Sequence, residues 1–202
     1  MHTSPLLAAR RLILGAVLAL SAAAVCAQEP VDVVRGAADA ILSELKTNPA
    51  YRTDDAALHG LVRQKLLPHV DQERVAQWIL GRNWRSATEA QQQRFIDAFT
   101  NLLLRTYATA LREYDSQELR YLPGGAGEGN TAVVRTQIVR PDGPPVGVDY
   151  KLTNRSGAWK VYDVAIENVS MVVTYRAEYA GIIQRDGLDG LIARLEQRAT
   201  SG

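Results

Sequence analysis

This 202-residue sequence has few cysteines, few histidines and little net charge. Its only cysteine, Cys26, falls within the first 27 residues, so a chain that begins at residue 28 has no disulfide and depends on burial for its stability. The formal net charge is +1, and loss of Arg10 and Arg11 with the first segment makes it −1. This near balance argues against a general nucleic-acid binder.

The usual nucleophile motifs are also missing. After residue 27 the only imidazoles are His59 and His69, and they have no cysteine or Gly-x-Ser-x-Gly serine to activate. His69 and Asp71 can form a base with its orienting carboxylate or two metal ligands, but no third ligand completes a metal motif. A turn followed by a helix cap is the favoured interpretation of this pair. We therefore predict no catalytic residue, no metal site and no cofactor.

The first 27 residues have the character of a cleaved secretory signal. Arg10 and Arg11 precede an uncharged apolar run from Leu12 to Val25. The run is about 14 residues long, short of the roughly 20 that cross a bilayer. We therefore predict a leader over residues 1–27 and one exported, soluble, periplasmic domain over residues 28–202. A lipoprotein signal and a twin-arginine signal are the alternatives.

Helical periodicity comes first, strand periodicity follows, and helices return at the end. Apolar spacings of three and four predict helices over residues 31–45, 58–66, 71–81 and 88–114, and again over 170–184 and 188–198. Asp71 is expected to cap the third helix, and Thr88 with Gln91 forms a capping-box pattern. Alternation predicts antiparallel strands over residues 118–122, 131–140, 146–154 and 158–167. The predicted fold class is α+β, an antiparallel sheet of about four strands covered by several helices, with the closing pair over its apolar face.

The apolar side chains outnumber what a simple core needs. The long helix carries one stripe of Phe95, Phe99, Leu103, Tyr107, Leu111 and Tyr114. The third strand adds a second row of Val146, Val148, Tyr150 and Leu152. Such rows usually pack against each other as core. If the sheet and the long helix do not fully meet, the space between them is an apolar ligand pocket.

Six short segments stand in one order along nearly the whole chain after residue 27. They are Leu67-Pro68-His69-Val70-Asp71, Leu80-Gly81-Arg82-Asn83-Trp84, Pro144-Pro145-Val146, Trp159-Lys160-Val161-Tyr162-Asp163, Glu167-Asn168-Val169-Ser170-Met171 and Gly187-Leu188-Asp189-Gly190-Leu191. Together with Thr106-Tyr107 on the long helix, they resemble the toluene-tolerance family of periplasmic lipid-shuttle proteins, MlaC. The colinear order makes this resemblance more specific than any single motif.

The resemblance implies an α+β carrier that holds phospholipid tails between sheet and helices and leaves the headgroup outside. It also implies lipid exchange with an outer-membrane lipoprotein complex and an inner-membrane ABC-transporter complex, which maintains outer-membrane lipid asymmetry. We expect a monomer that carries lipid as cargo, needs no cofactor and binds no nucleic acid. The alternatives are a carrier of another membrane lipid, such as a hopanoid, and a small periplasmic enzyme that acts on an apolar substrate.

The resemblance places the lipid-binding residues at Tyr107, Val146 and Val169. By position in the pattern we add Phe99, Leu103, Val148, Val164, Ile166 and Met171. Tyr175 and Arg176 follow on the next helix, where they either meet a phosphate at the pocket mouth or lie on a solvated surface. Asn168 stands where the family pattern leads us to expect glycine, which reaches unusual backbone angles more freely.

Overall fold

The computed structural model describes residues 28–114, 117–123, 127 and 129–200, so the predicted leader lies outside the described residues. Helices and strands occur in the predicted order. The helices are α1 (Pro30–Thr47), α2 (Asp55–Lys65), α3 (Gln72–Leu80), α4 (Arg82–Ser86), α5 (Glu89–Arg112) and α6 (Met171–Thr200), with 3-10 turns at Pro49–Arg52 and Leu67–His69. None of the described helices is both long and apolar enough to cross a bilayer.

The strands form one sheet in which each neighbouring pair runs antiparallel. They are β1 (Glu118–Tyr121), β2 (Thr131–Val139), β3 (Val146–Thr153), β4 (Lys160–Ile166) and β5 (Val169–Ser170), and they lie side by side in chain order. The α+β prediction is therefore confirmed. The sheet has five strands rather than about four, because β5 adds two residues where we expected the closing helices to begin.

Local side-chain chemistry fixes the helix ends. The Asp71 carboxylate accepts a hydrogen bond from the Arg74 amide at 3.1 Å, which caps α3 as predicted. Thr88 and Gln91 exchange hydrogen bonds at 3.2 and 3.0 Å, which is the predicted capping box of α5. At the other end of α3, Gly81 adopts a positive φ of 56°, a conformation that glycine reaches without steric cost.

The inner face of the sheet is defined by Val148, Tyr150 and Leu152 on β3. Val148 lies opposite Ile166 on β4, and Tyr150 lies opposite Val164. Because side chains alternate along a strand, these apolar residues share one face. The sheet therefore presents a continuous apolar surface that must be covered.

Helix α1 covers one end of the inner face. Its Val33 and Val34 form a buried cluster with Val134 and Leu152 of the sheet. The expectation that the closing helices cover this apolar face is therefore wrong for these positions. Helix α6 packs chiefly on α5 and α3, and it meets the sheet at β4 and β5.

Helix α5 lies between two buried clusters. Its Phe95 and Phe99 pack with α3, α4 and α6, whereas Leu104 and Ala108 pack with α1 and α2. Helix α6 changes direction at Gly187, where φ is 71° and ψ is 179°, which accounts for the two closing helices expected from the sequence. Helix α5 therefore contributes to both buried clusters.

Candidate functional site

A small cleft opens where α5, α6 and the β4–β5 hairpin meet. Its volume is about 260 Å³. The residues around it come from the second half of α5, from the hairpin and from the first two turns of α6: Tyr107, Ile166, Val169, Met171, Thr174, Tyr175 and Glu178. We call this space the α5–α6 cleft.

The β4–β5 hairpin forms the outer wall of the cleft. Its two turn residues, Glu167 and Asn168, have φ angles of 49° and 65°, as a two-residue type I′ hairpin requires. Asparagine tolerates this left-handed conformation better than most residues, which explains why it can stand where we expected glycine. The turn brings Ile166 opposite Val169. Both stay accessible, with 36% and 61% of their surface exposed, so the cleft has an apolar rim.

The hairpin tip is tied to the start of β3. The Glu167 amide donates to the Gly147 carbonyl at 2.9 Å. In return the Gly147 amide donates to the Glu167 carboxylate. These bonds hold the rim against β3, near Val146.

An aromatic cluster forms the inner end of the cleft. Tyr175 meets the edge of Phe99 at a ring distance of 4.9 Å and lies 5.5 Å from the ring of Tyr179. Burial and, to a smaller extent, the neighbouring Tyr107 hydroxyl, its hydrogen-bond partner, raise the pKa of Tyr175 to about 12. The Tyr175 phenol therefore stays neutral at physiological pH.

The polar lining of the cleft is confined to its edge along α6. The Thr174 hydroxyl donates to the Ser170 carbonyl at 2.8 Å, so it is engaged within the helix. Glu178 lies 3.5 Å from the Arg198 guanidinium, and both side chains are substantially exposed. The cleft thus has an apolar and aromatic interior with a charged pair beside its opening.

The structure brings together four of the nine lipid-binding residues predicted from sequence. Tyr107, Ile166, Val169 and Met171 line the cleft. Phe99 and Leu103 lie behind it, in or against the aromatic cluster. Val148 and Val164 lie on the inner face of the sheet beside Ile166, and Val146 pairs with Ile138 at the start of β3.

Three lining residues were absent from that prediction. Thr174 and Glu178 follow at helical spacing from Met171, a signal that could have placed them on the same face of α6. Tyr175, for which a pocket mouth and a solvated surface were both left open, contributes to the aromatic inner end. Arg176 instead lies over α3, where a Cβ added to Gly81 would be 3.4 Å from its guanidinium.

A larger groove of about 440 Å³ lies at the start of α1, against β2 and Trp159. Its lining includes Gly127 and Gly129, which border residues that the structure does not describe.

His69 and Asp71 have structural roles in the fold. His69 ends a 3-10 turn, and the Asp71 carboxylate caps α3. Within the described ranges, no group of three or more His, Cys, Asp or Glu side chains could hold a metal ion.

Comparisons with known proteins point in one direction. Residues 35–197 match the family described as MlaC protein. A Haemophilus influenzae protein named intermembrane phospholipid transport system binding protein MlaC is 30% identical over 182 residues, which are 88% of this chain and 85% of that protein. The toluene tolerance protein ttg2D of Pseudomonas putida is 32% identical over 182 residues, 89% of this chain and 85% of its own length.

A solved structure extends the similarity to the fold. It is the phospholipid-binding protein from Ralstonia solanacearum in complex with a phospholipid. The two chains are 35% identical and superpose with a TM-score of 0.79 over 85% of this chain and 97% of the other.

Proposed function

Since the chain belongs to the MlaC family, we propose that it is a periplasmic phospholipid carrier. It shuttles lipid between an outer-membrane lipoprotein complex and an inner-membrane ABC-transporter complex and so maintains outer-membrane lipid asymmetry. The observation that carries this proposal is the apolar α5–α6 cleft, in a fold whose relative from Ralstonia solanacearum holds a phospholipid. The names of the Haemophilus influenzae and Ralstonia solanacearum proteins describe phospholipid transport and phospholipid binding.

The chemistry of the cleft suits an acyl chain. Ile166, Val169 and Met171 offer aliphatic contacts, and the aromatic rings of Tyr107 and Tyr175 close the inner end. Each methylene removed from water contributes about 0.8 kcal/mol, so even part of an acyl chain is held firmly. The headgroup stays outside, near the exposed edge that carries Glu178.

The volume of the cleft implies that it widens around its cargo. At about 260 Å³ it falls below the roughly 300–1,000 Å³ of typical ligand pockets. The widened site reaches the other residues predicted from sequence, which lie behind the cleft or on the inner face of the sheet. We therefore keep Phe99, Leu103, Val146, Val148 and Val164 as proposed lipid contacts beside those that line the cleft.

Export, oligomeric state and partners belong to the same proposal. The leader over residues 1–27 is removed and residues 28–202 act as one periplasmic domain. The carrier works as a monomer without cofactor or nucleic acid. A carrier of another membrane lipid, such as a hopanoid, is the alternative within this mechanism. The enzyme alternative rests on His69 and Asp71, and it is weakened because the Asp71 carboxylate is engaged as a helix cap.

The first test is the lipid content of the native protein. The protein is purified without detergent, extracted with organic solvent, and the extract is analysed by mass spectrometry. We expect phospholipid at close to one molecule per chain. A hopanoid in its place would favour the other carrier, and a folded protein without lipid would refute the proposed function.

A further inference from the structure

We propose that Asp163 is a positioning residue that holds the mouth of the lipid cleft in place, an inference that rests on the proposed function. Asp163 does not line the cleft. It acts through the first turn of α6 and through Ser170, which lies between the cleft residues Val169 and Met171.

Three donors converge on the Asp163 carboxylate. One oxygen accepts from the Lys151 ammonium at 2.9 Å and from the Ser170 hydroxyl at 2.7 Å. The other accepts from the Val172 amide at 3.2 Å. The Asp163 side chain is only 4% exposed, so these bonds replace most of its hydration. Losing one of these donors removes a hydrogen bond to a buried charged group, which costs more than the loss of an ordinary surface bond.

The same contacts cap α6. The Ser170 hydroxyl accepts from the Val173 amide at 3.2 Å, while Asp163 takes the amide of Val172. Two of the amides that a helix start leaves unpaired are thus satisfied. A carboxylate at this end also interacts favourably with the helix dipole. Asp163 therefore fixes where α6 begins and in which direction it leaves the sheet.

The Asp163–Ser170 contact determines the direction of Val169, because side chains alternate along a strand. Ser170 pairs with Ala165, and Val169 pairs with Ile166. Ala165 and Asp163 lie on the face of β4 opposite to that of Ile166, because side chains two residues apart point to the same side. When Ser170 is held on the face of Ala165 by Asp163, Val169 must point to the face of Ile166. The cleft lining at this position follows from the anchor on the opposite face.

The anchor matters for cargo because the cleft must widen to admit it. Widening displaces the hairpin or the first turn of α6 from Tyr107, and the Asp163 contacts resist both movements. We therefore expect weakening of the Asp163–Ser170 contact to speed the escape of bound lipid. The chain offers a matched control in Thr88, whose hydroxyl caps α5 in the same way, about 28 Å along the helix from Tyr107 at 1.5 Å per residue.

The test compares four variants loaded with a fluorescent phospholipid. Asp163→Asn removes the charge, Ser170→Ala removes the hydroxyl, Ser170→Thr restores it, and Thr88→Ala breaks the distant cap. The measurements are the rate of lipid transfer to phosphatidylcholine vesicles and the unfolding midpoint in urea. We expect Asp163→Asn and Ser170→Ala to transfer lipid about tenfold faster than wild type, with Ser170→Thr and Thr88→Ala within twofold of it.

Each other outcome has a definite meaning. If Asp163→Asn does not fold, Ser170→Ala still tests the contact with the loss of one oxygen atom. Transfer rates for Ser170→Ala within twofold of wild type would overturn the positioning role. An equal acceleration in Thr88→Ala would overturn it too, because general loss of stability would then suffice. A wild-type protein that takes up no labelled phospholipid would instead refute the proposed function itself.

Discussion

Two valines on either side of the α6 start provide the sharpest test of the cleft as the lipid site. Val169 and Val173 have 61% and 63% of their surface exposed, so their substitution perturbs the folded protein to a similar extent. Only Val169 is among the residues that line the cleft. The substitution Val169→Asp therefore places a carboxylate against the proposed acyl chain, whereas Val173→Asp places the same group in solvent.

The expected loss of lipid affinity combines two contributions. Val169 loses aliphatic contact with the cargo, at about 0.8 kcal/mol per methylene or methyl group. The carboxylate also loses part of its hydration beside the acyl chain, and burial of a polar group costs roughly 1–3 kcal/mol in proteins. With the contact of one methyl group lost, the total of about 2–4 kcal/mol corresponds to roughly 30- to 700-fold weaker binding, at about 1.4 kcal/mol for each tenfold.

The folded state itself should change little. Exposed substitutions usually alter the free energy of unfolding by less than about 0.5 kcal/mol. Val173 lies in the first turn of α6, where an acidic side chain is favourable by about 0.3–1 kcal/mol. A difference in lipid retention between the two variants will therefore not come from unfolding.

The assay measures retained phospholipid after gel filtration and the affinity for a fluorescent phospholipid, with urea unfolding as the stability control. We expect Val169→Asp to elute without lipid and Val173→Asp to keep the wild-type load. Equal retention by both variants would show that the acyl chain does not pass Val169. Equal loss in both would show that any acid near the start of α6 suffices, and the cleft would then not be the site.

Two further predictions concern the tyrosine cluster and the hairpin. Tyr175 has a folded pKa of about 12 against about 10 in an unfolded chain, so its contribution to stability is complete below pH 10 and is lost as the pH rises towards 12. The free energy of unfolding, measured with urea between pH 8 and pH 12, should decline less steeply with pH for Tyr175→Phe than for wild type. Parallel curves for the two proteins would contradict the burial of this phenol. At Asn168, where φ is 65°, Asn168→Ala should lower the free energy of unfolding by about 1 kcal/mol while Asn168→Gly stays within about 0.5 kcal/mol of wild type. Equal effects of the two substitutions would show that the left-handed angle at residue 168 costs nothing.

The elements predicted correctly from the sequence are those with strong local signals. Thr88 and Gln91 define the start of α5 by their own hydrogen bonds, and Asp71 does the same for α3. The four longer strands alternate over enough residues to set their period. By contrast, β5 has only Val169 and Ser170, too few for any periodicity, and its existence depends on the turn at Glu167 and Asn168.

The packing of one element against another could not be derived from the sequence in the same way. Apolar spacing shows that a helix has a buried face but not which surface that face meets. Val33 and Val34 on α1 therefore fitted a helical partner as well as the sheet face they cover. The stripe on α5 likewise gave no sign that Phe99 and Leu111 pack in different clusters.

The candidate site depends on the same packing of elements against each other. Tyr107 and Ile166 lie 59 positions apart in the chain and reach one cleft only because α5 and β4 meet. Ile166 was predicted from its place in the apolar pattern, whereas Tyr107 was predicted from the family resemblance. Whether the space between them is filled or open depends on how closely the helices approach the sheet. The periodicity of the sequence does not indicate that distance.

Energetics explain why a cleft bounded by a short hairpin suits a cargo that must enter and leave. Strand β5 pairs with β4 through two residue pairs, whereas β2 and β3 pair through eight. At a net of about 0.5–1.5 kcal/mol for each hydrogen bond, separation of β5 from β4 costs a few kcal/mol, and separation of β2 from β3 costs several times more. A few acyl methylenes at about 0.8 kcal/mol each offset the first cost but not the second. The proposed cargo can therefore open the cleft at β5 while the sheet behind it stays intact, which makes the Asp163 anchor the contact that sets how readily lipid is released.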